Sequence, residues 1–215
     1  IPAAAQVEAI PTPGEPDQLW PPPEQLGDIP LYGGLSNMTL PGKASEAAAP
    51  FLNQGFTLIA AFDFYRAVLS FRSAQRRDPK CLLCVWGEAF SLGPNLNSFD
   101  ELRLLSSVPL AHQRAQDAVS LLASVHEDTA AWEKALVQAL ALRYAPTVEA
   151  YVNQERSLTQ QFAKAMQQVF DASRVDAADS GLVAALAALT ADAWMNTHPW
   201  DYWLQSGKVL RSEGQ

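Results

Sequence analysis

Apolar positions recur at helical spacing through most of the chain and nowhere alternate over a useful length, so the pattern predicts an all-α protein without significant strands. The first two helical runs, roughly 47–61 and 64–75, meet at a break around Phe62-Asp63. A third begins at Pro79 and stops at Gly93-Pro94, before a loop at 95–98 and a short turn near 100–105. Pro109 opens a helix to about Ser124, and residues 126–129 cap the next, which ends near Tyr144 ahead of Pro146. Another run covers about 147–172. A polar break at 176–179 leads to Ser180, which caps the helix carrying LVAALAALTADAW. Short connections between these runs predict an array of antiparallel helix hairpins.

Residues 1–46 are different material. They hold nine of the 15 prolines and six acids against one base, Lys43. Proline at this density forbids a long helix or a central strand, so the segment is expected to be an extended arm. Its apolar residues, Trp20, Leu31 and Tyr32 together with Leu26 and Ile29, are the candidate anchors, either on the helical body or on a neighbouring subunit. The division expected is an arm over 1–46, a helical repeat domain over 47–205 and a tail over 206–215.

Gly55, Ala67, Phe71, Ala74 and Pro79 fall at the spacing of a 34-residue helix–turn–helix repeat. The small residues let two helices approach, Phe71 fills the gap, and Pro79 stops the second helix. This unit resembles a tetratricopeptide repeat. DPKCLLCVWGEAFSLGPNLN (78–97) and LTADAWMNTHPWDYW (189–203) narrow the resemblance to a family of bacterial, often exported, tetratricopeptide-repeat proteins. It covers about residues 35–205 and implies a helix-hairpin solenoid. It also implies that the chain corresponds to the N-terminal half of longer members, whose C-terminal half carries histidine-rich segments resembling metal sites. Members commonly have histidines where this chain reads Ser36-Asn37-Met38 and Asp63-Phe64, which argues against carrying a metal role over.

In such a repeat Leu52, Phe56 and Ile59 of one unit and Trp86 and Phe90 of the next project to the concave face, making a candidate groove for a peptide or for the arm itself. An ordinary core stripe has the same spacing. Cys81 and Cys84 share one helix face, open to a structural disulfide, an apolar interface, a metal site completed from elsewhere or a redox pair. Val85 after the second cysteine excludes covalent c-type haem, which needs histidine there. Glu88 lies on an apolar face, where an unpaired charge is costly. Asn95 and Asn97, or Arg66 or Arg72, are its candidate partners in a structural polar network. His112, His126 and His198 are dispersed, without metal or acid–base spacing. His198, Trp200, Tyr202 and Trp203 form an aromatic stretch that seals a helical layer or presents an interaction patch.

Composition narrows the class of function. A net charge of −8 argues against a nucleic-acid surface, which needs concentrated basic charge, and no apolar run reaches the ~18–20 residues of a membrane span. The start at Ile1 with Ala3-Ala4-Ala5 close behind fits a chain from which an export signal was removed, so a periplasmic or extracellular location is expected. No nucleophile, phosphate-loop or dinucleotide motif is present. The expected function is non-enzymatic: a helical-repeat scaffold that assembles with protein partners, or with copies of itself as a homo-oligomer or filament subunit. The alternative is a metal-associated envelope protein, or the accessory part of a metalloenzyme, binding copper, zinc or iron through Cys81 and Cys84.

Overall fold

A computed structural model describes residues 27–35, 38, 40–96, 106–125, 129–175 and 180–199. Among these the chain is all-helical, with helices α1 (Ala49–Ala60), α2 (Phe64–Arg77), α3 (Leu82–Leu92), α4 (Val108–Val125), α5 (Ala131–Leu140), α6 (Val148–Val175) and α7 (Ser180–Met195). No described helix is long and apolar enough to cross a membrane.

The break between α1 and α2 is where the sequence predicts it. Phe62 takes a positive φ of 59°, which a bulky residue adopts only when its surroundings enforce it. Asp63 then caps α2, its carboxylate accepting from the Arg66 amide at 3.2 Å and from the Arg66 guanidinium at 2.6 Å. The start of α3 departs from expectation. It begins at Leu82, not Pro79, because the Asp78 carboxylate folds the intervening residues into a turn by accepting from the Lys80 amide at 3.1 Å and the Ser45 amide at 2.7 Å. Similarly, α5 ends at Leu140 rather than near Tyr144. Arg143 and Tyr144 leave the helix to reach across α3: Arg143 Nη2 donates to the Pro94 carbonyl at 2.6 Å and the Tyr144 hydroxyl to that of Ala89 at 3.1 Å.

Helices α1 and α2 pair antiparallel. Arg77 at the end of α2 stacks on Phe51 at the start of α1, and Ser70 Oγ donates to the Phe51 carbonyl. Phe71 is the central knob. An added Cβ at Gly55 would lie 2.6 Å from its ring, and one at Gly87 on α3 would lie 2.3 Å away, so the ring fills the space between two glycines on flanking helices. Every residue of α3 is buried, as expected of a helix apolar all round. Trp86 Nε1 ties it to the Leu136 carbonyl of α5 at 3.0 Å. At the far end, Phe162 and Met166 of α6 and Leu186 and Leu189 of α7 are buried, and Thr190 Oγ1 donates to the Met166 carbonyl at 3.2 Å to join the two helices.

Candidate functional site

Residues 27–32 lie along the groove between α1 and α2, running antiparallel to α2 and held largely by their backbone. Gln54, a polar residue within the apolar α1, grips the segment twice: its Nε2 donates to the Pro30 carbonyl at 3.0 Å and its Oε1 accepts from the Tyr32 amide at 2.8 Å. Ser70 Oγ fixes that amide by accepting from the same Nε2 at 3.1 Å. One turn further along α2, Ser73 Oγ accepts from the Ile29 amide at 3.3 Å. Asp28 is clamped between Arg76 and Arg77, each with a guanidinium nitrogen 2.6 Å from the carboxylate. These two cations hold the Asp28 carboxyl far below the usual carboxylate range. Arg66 lies 6.0 Å from the centre of the Tyr32 ring at the opposite end of α2.

Of the expected anchors, Tyr32 is half-buried and docked, whereas Leu31 is 51% exposed and anchors nothing. Ile29 and Leu40 are the buried apolar residues of the described arm. Trp20 lies outside the described residues. Beyond Tyr32 the chain turns at Gly33-Gly34 and comes back: the Met38 amide donates to Thr57 Oγ1 at 3.3 Å, and Gly42 packs on Leu83 and Glu133.

The crossing at Arg143 and Tyr144 lies over one end of the expected groove, at Phe90. Leu52, Phe56, Ile59, Trp86 and Phe90 are buried and line no open groove. They form an internal aromatic ladder, with Phe56 stacked on Trp86 at 6.2 Å and Trp86 on Phe90 at 5.1 Å between centroids. The Arg143 guanidinium covers its end, 4.9 Å from Phe90. The stripe is core, and the site that holds an extended segment is the polar-lined α1–α2 groove beside it.

Glu88 sits in a buried charge network. Its carboxylate accepts from Arg72 Nε at 2.7 Å, Gln75 Nε2 at 2.8 Å and Arg114 Nε at 3.1 Å. Arg114 also binds Gln75 Oε1 and pairs with Asp117 at 2.6 Å. Arg72 was among the partners expected, whereas Gln75 and Arg114 were not. Asn95 lies half-buried beyond the end of α3, and Asn97 falls outside the described residues. A cleft of about 370 Å³ between α2 and α4 opens beside this network, lined by Arg72, Gln75, Arg76, Arg114 and Asp117 among others.

Arg143, in the α5–α6 connection, and Asp192 on α7 act on each other through their charges. Arg143 is buried against the rings of Phe90, Tyr144 and Phe162. Its Nη1 has no hydrogen-bond partner, and neither has Asp192 Oδ2 on α7. Burial raises the Asp192 carboxyl above its ordinary 3.8, against the opposing pull of Arg143, and pushes the Tyr144 hydroxyl up to about 12. An acid with a raised folded pKa favours the folded state below its unfolded value, and this contribution is lost as pH rises through the folded value. Burial outweighs the attraction of Arg143, so Asp192→Asn, which has no charge to bury, is expected to be more stable than the parent at pH 7. Urea midpoints should show the gain shrinking towards pH 4; an equal gain at both pH values would exclude this account.

Cys81 and Cys84 lie with their sulfurs 1.95 Å apart, a disulfide at the N-terminus of α3, and in that state they present no thiolate to a metal. Among the described residues no three His, Cys, Asp or Glu side chains converge as metal ligands. His112 is half-buried on α4, and His198 is half-buried with its Nδ1 2.9 Å from Thr197 Oγ1. His126, Trp200, Tyr202 and Trp203 lie outside the described residues. Comparison with family models, curated proteins and solved structures finds no match.

Proposed function

We propose that this chain is a non-enzymatic interaction protein of tetratricopeptide-repeat type, exported from the cell, which assembles with protein partners or further copies of itself by holding extended segments against paired helices. The observation that carries this reading is the bidentate grip of Gln54 on the Pro30 carbonyl and the Tyr32 amide. A side-chain amide aimed at a backbone recognises an extended chain as such, and neighbouring charges and apolar contacts then select its sequence. The antiparallel hairpins, with Phe71 locked between Gly55 and Gly87, supply the rigid support that such recognition needs. The extended arm is part of the same design, with its described portion held by the repeat.

Native mass spectrometry of the protein from its own source, with metal content read from the same sample, tests the proposal. Metal-free assemblies containing other chains or several copies are expected. A bare monomer at working concentration would overturn it, and a monomer carrying a stoichiometric metal would overturn it in favour of the metal-associated alternative.

A further inference from the structure

Every hydrogen bond and ion pair described for residues 27–32 goes to α1 or α2. Three of the contacts select sequence: Asp28 between Arg76 and Arg77, Ile29 buried beside Ser73, and Tyr32 beside Arg66. Pro30 offers only its carbonyl, which Gln54 uses, and its fixed φ helps keep the segment extended. This docked stretch is separated from the next anchors by Gly33 and Gly34. Gly34 takes a φ of 79°, and an added Cβ at either glycine would meet nothing within 4 Å. Open space beside both glycines lets this turn serve as a hinge about which residues 27–32 leave the groove while 40–48 stay anchored.

We infer that the α1–α2 groove is an exchangeable binding site whose ligand in trans is the Asp28–Tyr32 stretch of a second copy, so that two chains swap arms by opening at Gly33-Gly34. This rests on the interaction reading above and names its partner segment. The contacts made within one chain form equally well between two, so the exchange costs association entropy and little else. Charge assists it: the groove offers Arg66, Arg76 and Arg77 to an acidic arm in a chain of net charge −8. The internal arm competes at an effective concentration on the order of millimolar. Exchange therefore appears when copies are crowded or when the internal contact is weakened.

The test uses the full chain carrying Asp28→Ala and Ile29→Ser, with a fluorescent peptide of residues 27–35 as probe and anisotropy as readout. Saturable binding is expected, at least about tenfold tighter than to the unsubstituted chain, whose own arm competes. Absence of binding while helical circular dichroism is unchanged would overturn the proposal. So would equal binding of a peptide carrying the same two substitutions. If the doubly substituted chain loses helix, energy transfer between unsubstituted chains labelled separately with donor and acceptor replaces it. Transfer should then grow with concentration, and its absence up to millimolar would equally overturn the proposal. A negative result in either format alongside partner chains in the native mass would sink arm exchange and leave the interaction reading standing, whereas a chain that captures the peptide but forms no assemblies would sink the interaction reading and, with it, exchange between whole chains.

Discussion

Replacing Glu88 with alanine is expected to destabilise the chain by about 3–5 kcal/mol, the cost of leaving one member of a buried ion pair without its partner. Glu88 and Arg72 are 1% and 3% exposed, so neither can turn to water for compensation. Arg114 loses less, because it keeps Asp117 at 2.6 Å and remains partly exposed. The penalty therefore falls mainly on Arg72, and this assignment has its own consequence. Replacing both partners with apolar residues of similar size, Glu88→Leu with Arg72→Met, should recover most of the loss, since a buried pair contributes little relative to a well-packed apolar substitute. Urea unfolding with an unchanged denaturant slope measures both. A Glu88→Ala loss below about 1 kcal/mol, the range of an exposed pair, would contradict the network.

Phe71→Ala should cost a similar amount, about 3–5 kcal/mol, because it empties the space between α1 and α3. The sharper result concerns its neighbours. Gly87→Ala in the parent gains up to ~1 kcal/mol in helix propensity but forces a methyl to within 2.3 Å of the Phe71 ring, an overpacking penalty of about 1–3 kcal/mol. Net destabilisation is expected. In the Phe71→Ala background the clash is gone and Gly87→Ala should become stabilising. A double-mutant cycle reads this reversal directly, and additive effects would mean that the ring does not fill the gap between the glycines.

Much of this architecture was legible because it is local. Gly55, Ala67, Phe71 and Ala74 lie within one hairpin, so spacing and residue size were sufficient to place its two helices and the break between them. The aromatic stripe stayed open between groove and core for a physical reason. Periodicity shows that Leu52, Phe56, Ile59, Trp86 and Phe90 share a face, but not whether distant chain covers it, and here Arg143 and Tyr144 lie against Phe90 from beyond α5. Arg114 reaches Glu88 across 26 residues, beyond any helical period. In the arm, Leu31 and Ile29 look equivalent in sequence, and only the geometry around Pro30 separates an exposed residue from an anchor. One signal was available and missed. Gln54 interrupts an apolar helix just as Glu88 does, and a buried amide there needs partners, which an extended backbone lying alongside supplies.

Residue-resolved hydrogen exchange tests most directly whether the helices hold the arm by its backbone. In the parent chain the Ile29 and Tyr32 amides, bonded to Ser73 and Gln54, should exchange well below free-peptide rates. Gln54→Ala should release Tyr32 while leaving the amides of α2 protected. Free-peptide exchange at Ile29 and Tyr32 in the unsubstituted chain would contradict the account, since the α1–α2 groove would then hold no segment at all.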